Sequence, residues 1–152
     1  GAIPRLVSMG AKPFVLAPAL NMIIAQRLVR QVCAKCAEQY SPDAKLRVRI
    51  QEVMQGVRSD IFDVSLIRDK NVTFFRAKGC SECVGGYKGR VGVFEIFTVE
   101  RDIEELVLQG ADELRIQDAA LRQGMTKIVQ DAFIKVIEGI TTVEEVERIS
   151  EE

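Results

Sequence analysis

Four cysteines, and only four, stand in the 152-residue sequence as two identical pairs, Cys33-Ala-Lys-Cys36 and Cys80-Ser-Glu-Cys83. A Cys-x-x-Cys pair lets both sulfurs face one point, with nearby peptide amides able to donate hydrogen bonds to them. Two pairs supply the four thiolates of a tetrahedral zinc site, with Zn–S distances of about 2.3 Å. No histidine occurs in the chain to compete for the metal. A site with four protein ligands leaves no position for water or substrate, which makes such a metal structural. Two other uses of the pairs stay open at this level. A redox pair of the thioredoxin kind needs no second copy and normally follows a strand in a βαβ unit. Disulfides suit a secreted chain, and no secretory leader is visible. Forty-three residues separate the two pairs, against about fifteen to twenty in a compact zinc ribbon. The metal is therefore expected to clamp the base of a long insertion.

Apolar residues make up 47% and charged residues 28%, a balance that argues for a packed core and against disorder. The longest apolar stretch, Pro13 to Ala25, is interrupted by Pro18 and Asn21 and is too short to cross a bilayer. No membrane insertion and a cytoplasmic location are the expectations, and reduced thiols are then free to hold zinc. The net charge of −1 hides a division. Residues 1–90 carry fifteen Lys and Arg against seven Asp and Glu, whereas residues 91–152 carry six against fifteen. Four thiolates around Zn²⁺ leave two negative charges, which Arg30, Lys35, Lys78, Lys88 and Arg90 would partly offset. Arg5, Arg27, Arg47, Arg49 and Arg58 remain, so a zinc-dependent nucleic-acid-binding module is the rival reading. Against it, Tyr40, Tyr87 and the four Phe of the basic half do not interleave with the cations as stacking platforms would.

Local patterns predict an α+β chain that is mainly helical. Ile3 to Met9 reads as a short helix closed by Gly10. Apolar residues at 20, 23, 24, 28 and 32 have helical spacing and set Gln26, Arg27 and Arg30 away from the apolar stripe. Ser41-Pro42-Asp43 predicts a helix start with Ser as N-cap, running to about Gln55 before Gly56. Val64 to Ile67 and Val72 to Phe75 predict a hairpin joined through 68–71. Glycines 85, 86, 89 and 92 mark turns into a strand at about 90–97. A phosphate-cradling loop does not fit there, because no Gly-Lys-Ser/Thr follows and a strand comes next. Helices are expected over roughly 100–109, 112–123, 126–138 and 142–151, the last opened by a capping box at Thr142-Val-Glu-Glu145. Leu114, Ile116, Ala119, Ala120, Met125, Ile128, Val129, Phe133, Val136 and Ile137 are the expected core of these helices.

Longer segments carry a likeness. Ile3-Pro-Arg-Leu-Val-Ser-Met-Gly-Ala-Lys-Pro-Phe and Ala25-Gln-Arg-Leu-Val-Arg-Gln-Val-Cys-Ala-Lys-Cys36 are followed by Gly79-Cys-Ser-Glu-Cys-Val-Gly-Gly-Tyr-Lys-Gly-Arg-Val-Gly-Val-Phe-Glu95. Ala120-Leu-Arg-Gln-Gly-Met125 and Lys135-Val-Ile-Glu-Gly-Ile-Thr-Thr-Val-Glu-Glu-Val146 complete the series. Together they resemble the ATPases of type II secretion and type IV pilus assembly, over most of the chain apart from 41–72. The paired cysteines place the likeness with the assembly ATPases.

The resemblance implies a C-terminal piece of a RecA-like motor. Its end of the RecA-like core would be 1–32, its four-cysteine metal-binding subdomain 33–90, and a strand with a helical subdomain 91–152. It implies Cys33, Cys36, Cys80 and Cys83 as ligands of a structural Zn²⁺, with ATP and Mg²⁺ bound only by the full-length protein. Gln26 and Arg27 are the implied residues nearest the nucleotide or the core interface. The implied partners are the protein's own ATPase core, neighbouring subunits of a hexamer, and the inner-membrane platform protein. No Gly-x-x-x-x-Gly-Lys-Ser/Thr is present, so this piece is expected to hydrolyse nothing alone.

Overall fold

The computed structural model describes residues 1–68, 72–110 and 112–151. It is α+β, with seven helices and four strands among those residues. The chain forms two compact units, one of Gly1–Ala25 with Glu95–Thr126 and one of Gln26–Phe94 with Lys127–Glu152. Both units are discontinuous, and they cut across the linear segments 1–32, 33–90 and 91–152.

Two long strands pass through both units. The first, β1 (Met22–Val32), pairs with β4 (Tyr87–Thr98) in a two-stranded sheet. Val99 N donates to Asn21 O at 2.9 Å, and Cys33 N donates to Gly86 O at 2.8 Å. The end of one strand thus meets the start of the other, so the pair is antiparallel. A strand at 22–32 overturns the helix expected there. Burial alternates along it with Ile23, Ala25, Arg27 and Val29 on the more covered face. The run Met-Ile-Ile-Ala-Gln-Arg-Leu-Val satisfies a helical template and a strand template at once, and partner β4 decides between them.

In the first unit, α1 (Ala2–Ser8) and α2 (Pro13–Ala19) precede β1, while α4 (Arg101–Leu108) and α5 (Glu113–Arg122) follow β4. Gly10, at φ 96°, turns the chain out of the expected first helix. The core here is Ile3, Ala17, Val99, Ile103, Val107, Ile116, Ala119, Ala120 and Met125. Leu114 is not in it. At 69% exposure it lies off the face of α5 that carries Ile116, Ala119 and Ala120.

In the second unit, β2 (Glu38–Tyr40) pairs antiparallel with β3 (Phe74–Arg76), setting Glu38 opposite Arg76 and Tyr40 opposite Phe74. The Tyr40 and Phe74 rings meet edge to face at 6.1 Å, and the Arg76 guanidinium lies 4.1 Å from the Tyr40 ring centre. This pairing replaces the expected hairpin. Val64–Arg68 is a 3-10 turn, and the connecting residues 69–71 lie outside the described residues. Helix α3 (Ala44–Val53) is capped by Asp43, whose Oδ1 accepts from Leu46 N at 2.7 Å, rather than by Ser41. A carboxylate close to the helix N-terminus also meets the helix dipole favourably.

The last helices, α6 (Ile128–Ile137) and α7 (Val143–Ser150), share one core with this insertion. Ile50, Met54, Phe62, Ile67 and Phe74 of the insertion join Phe133, Val136, Val146 and Ile149. Buried Gln130 ties them further. Its Nε2 donates to Val53 O (2.9 Å) and Gln55 O (3.2 Å), and its Oε1 accepts from Lys127 N (2.9 Å). One amide thus satisfies the frayed end of α3 and the start of α6 together. The helices after residue 100 do not form a single bundle, because each half of them completes a different core.

Phe133→Ala should cost about 3–5 kcal/mol, as expected for emptying a fully covered aromatic site. Leu114→Ala should change stability by under about 0.5 kcal/mol. Urea unfolding of the two variants checks the contrast, and equal losses would contradict this core.

Candidate metal centre and its base

Both cysteine pairs leave the β1–β4 ladder at the same end. Cys33 follows β1 directly, and Gly86, which accepts its amide, precedes β4. Gly86 has φ 86°, and a Cβ there would stand 2.6 Å from the Ala77 side chain. Only glycine fits that turn. In the first pair, Cys36 N (3.1 Å) and Ala37 N (2.9 Å) both donate to Cys33 O, curling the peptide so that the sulfurs converge. In the second, Cys80 N donates to the Cys83 sulfur at 3.2 Å.

All four Sγ atoms lie within 4.8 Å of one another. Cys36 Sγ and Cys80 Sγ each lie 3.6 Å from Cys83 Sγ. A tetrahedron with Zn–S distances of about 2.3 Å has sulfur–sulfur edges of about 3.8 Å, whereas a disulfide bond is about 2.05 Å long. All four are free thiols. The sulfurs therefore stand at metal-ligating spacing, and the arrangement can hold a metal ion such as zinc. The 43 intervening residues return the second pair to the first through β2, β3 and the shared core, which is how so wide a spacing still makes one cluster.

The cluster polarises its own sulfurs. Burial opposes ionisation of Cys83, but the Cys80 amide and thiol donate to it and hold its pKa down to about 7. Burial pushes Cys36 up to about 12. Lys35 and Glu82, the residues beside Cys36 and Cys83, form an ion pair with each other. Lys35 is thus matched by Glu82 rather than left to offset thiolate charge as the sequence suggested.

The base of the cluster rests on a contact that the sequence did not announce. Glu145, with no exposed surface, accepts from Arg30 N at 2.7 Å through Oε2. Its Oε1 accepts from Arg30 Nε (2.9 Å), Arg30 Nη2 (2.7 Å) and Arg148 Nε (3.2 Å). Arg148 Nη2 donates to Glu145 Oε2 at 3.0 Å and to Leu28 O at 2.9 Å. Around this centre, Val32 N donates to Ile140 O (2.9 Å) and Thr141 Oγ1 donates to Arg30 O (2.7 Å). Tyr87 Oη and Thr142 Oγ1 share a hydrogen bond of 2.9 Å, and the Arg30 guanidinium lies 4.1 Å from the Tyr87 ring centre. The capping box expected at 142–145 does not form: Thr142 makes no side-chain cap, since its hydroxyl turns to Tyr87 and Glu145 turns to the arginines. Burial alone would raise the Glu145 pKa, yet hydrogen bonds from Arg148, Arg30 and the Arg30 amide hold it down at about 2.

Gln26 and Arg27 are neighbours on β1, so their side chains leave opposite faces of the strand. Gln26 is exposed and Arg27 half-buried. Neither belongs to the sulfur cluster. Among the described residues, no helix is long and apolar enough to cross a membrane.

The family model for "Type II/IV secretion system protein" matches residues 1–148. The chain is 34% identical over 149 residues to a type IV pilus assembly ATPase PilB of Thermus thermophilus, an alignment covering 95% of this chain and 15% of that protein. It is 34% identical over 153 residues to the type II secretion system ATPase E of Vibrio cholerae, covering 100% of this chain and 27% of the relative. It is also 36% identical over 153 residues to a type II secretion system protein E of Pseudomonas aeruginosa, covering 100% of this chain and 28% of that protein. The chain thus spans less than a third of the length of each of these relatives.

Glu145→Gln should destabilise the second unit by about 3 kcal/mol at neutral pH, because it removes the charge that two arginines share. A carboxylate whose pKa falls from 4.5 to about 2 on folding stabilises fully above about pH 4.5. It loses that contribution as pH falls through about 2. The stability gap between the parent chain and Glu145→Gln should therefore hold steady from pH 7 to about 5 and close towards pH 2. Urea unfolding across that range checks it, and a gap independent of pH would contradict the ion-pair assignment.

Proposed function

The chain belongs to the type II/IV secretion system protein family, and from that premise we propose that it is the force-transmitting, non-hydrolysing part of a secretion or pilus-assembly ATPase. The observation that carries this reading is the family match over residues 1–148, with the four-sulfur cluster inside it. The relatives are named for type IV pilus assembly and for type II secretion. No Gly-x-x-x-x-Gly-Lys-Ser/Thr occurs in these 152 residues. Phosphoryl transfer rests on positioning phosphates and magnesium, so in this proposal hydrolysis belongs to the rest of the motor.

Cys33, Cys36, Cys80 and Cys83 would hold a zinc ion, which supplies four-thiolate ligation with no open position for water. The residues around it do mechanical work. The amide hydrogen bonds at Cys33, Cys36 and Cys80 fix the two knuckles, and the shared core of α3, α6 and α7 makes the insertion rigid. A rigid insertion can pass a displacement of β1 and β4 to its own rim. In the proposal, 1–32 completes a RecA-like core, 33–90 is the metal-bearing segment, and 91–152 supplies the strand and helices. The assembly is a cytoplasmic hexamer that meets neighbouring subunits and the inner-membrane platform protein. Gln26 and Arg27, on opposite faces of β1, lie near the nucleotide or the core interface of the full-length motor.

Native mass spectrometry of the purified chain should find one zinc per chain and four reduced cysteines. Cys83→Ser should lose the metal. Structural zinc contributes on the order of 10 kcal/mol to small modules, so this variant should also lose cooperative melting of the second unit, including α6 and α7. A metal-free chain with the parent's melting profile would contradict a structural zinc. In the full-length protein, Gln26→Ala and Arg27→Ala should each lower phosphate release by more than they lower melting temperature. Unchanged turnover in both would remove these residues from the motor's coupling.

A further inference from the structure

A cavity of about 460 Å³ opens in the second unit between Leu28, Arg30, Arg90 and Arg148. Three of its four lining residues are arginines, and the carboxylate among them, Glu145, is wholly buried. Glu145 is the carboxylate that Arg30 and Arg148 share, and Arg90 adds a third guanidinium to the lining. Arg30 and Arg148 keep 49% and 41% of their side-chain surface exposed although both are paired with Glu145. Arg30 reaches Glu145 through Nε and Nη2, which leaves Nη1 for another acceptor. Arg90 is exposed and makes no ion pair among the described residues.

We propose that this groove binds an acidic peptide segment of another protein. The Arg90 guanidinium presents a planar fork that matches a carboxylate, the geometry Arg30 already displays on the buried Glu145, and Arg30 Nη1 adds a donor beside it. The arginines beside Arg90 are held before a ligand arrives. Arg30 is fixed by Glu145 below and by the Tyr87 ring beside it, and Arg148 by Glu145 and Leu28 O. Ordering costs on binding are correspondingly small.

The floor argues for a peptide over a free phosphate. Leu28 is 48% exposed between the arginines, and an apolar side chain next to an acidic one would cover it. Phosphate has no use for that surface. Single-stranded nucleic acid would need open aromatic faces for its bases, and Arg30 occupies a face of Tyr87. The inference is separate from the zinc reading, since no cysteine lines the groove.

The test uses the 152-residue chain and a fluorescein-labelled, end-blocked hexapeptide of alternating glutamate and leucine, followed by anisotropy at low salt. The peptide should bind, and binding should weaken steeply as salt rises. Arg90→Gln should weaken it by about tenfold or more, the loss of a charge-assisted hydrogen bond. Its melting temperature and zinc content should match the parent's, because Arg90 supports neither the buried ion pair nor the sulfurs. Lys12→Gln, which removes the same charge from the exposed surface of the first unit, should leave binding unchanged. Four outcomes would each overturn the proposal. They are absence of binding at low salt, equal affinity in Arg90→Gln, equal binding of the glutamine–leucine peptide, and displacement by inorganic phosphate or oligo(dT) at lower concentration than by unlabelled acidic peptide.

Discussion

A carboxylate with no exposed surface, reached by two arginines and a backbone amide, holds the second unit together. Glu145 sits on α7, Arg30 on β1 and Arg148 one turn further along α7. An ion buried this deeply is costly to strip of water and is tolerated only when its acceptor positions are filled. Here Arg30 N, Arg30 Nε, Arg30 Nη2, Arg148 Nε and Arg148 Nη2 fill them. The arrangement fixes α7 against β1 two residues before the ladder gives way to Cys33. The turn at 140–142 adds Ile140, Thr141 and Thr142 to the same edge. The cysteine knuckles therefore start from an anchored strand, and a swing of β1 at this point would break a charged network rather than one neutral bond.

The insertion is a larger object than its cysteines suggest. Four sulfurs alone would tie two ends of a loop. Instead Ile50, Met54, Phe62, Ile67 and Phe74 reach into a core completed by α6 and α7, and Gln130 satisfies backbone groups on both sides. Opening of the sulfur cluster would then be felt by the last helices as well as by residues 33–90. The expected core residues after residue 100 in fact divide, with Ile116, Ala119, Ala120 and Met125 in one core and Phe133 and Val136 in the core shared with the insertion. Arg148, on the last helix, fastens a buried carboxylate and a strand carbonyl.

What could be read in advance had a local cause. The two Cys-x-x-Cys pairs converge because three-residue spacing and local amide bonds aim sulfurs inward wherever they occur. The helices after residue 100 begin and end within two residues of their expected limits, since Gly110, Gly124 and Gly139, all at positive φ, stop them by their own conformation. What was misread depended on partners far along the chain. The 22–32 strand, the β2–β3 pairing and the diverted capping box each substitute a long-range contact for a plausible local one.

By itself the sequence determined the family, the pairing of the four cysteines that the fold brings into one cluster, the α+β class and the placing of most helices. These follow from residue identity, short spacing and backbone conformation, none of which needs a distant partner. Tertiary structure alone decided that 22–32 is extended, that the late helices divide between two cores, and that Glu145 is the buried counter-ion of Arg30 and Arg148. The physical reason is one of reach. Residues 30 and 145 are 115 positions apart, and a glutamate in the first turn of a helix looks like a capping residue until an arginine on a strand arrives to claim it.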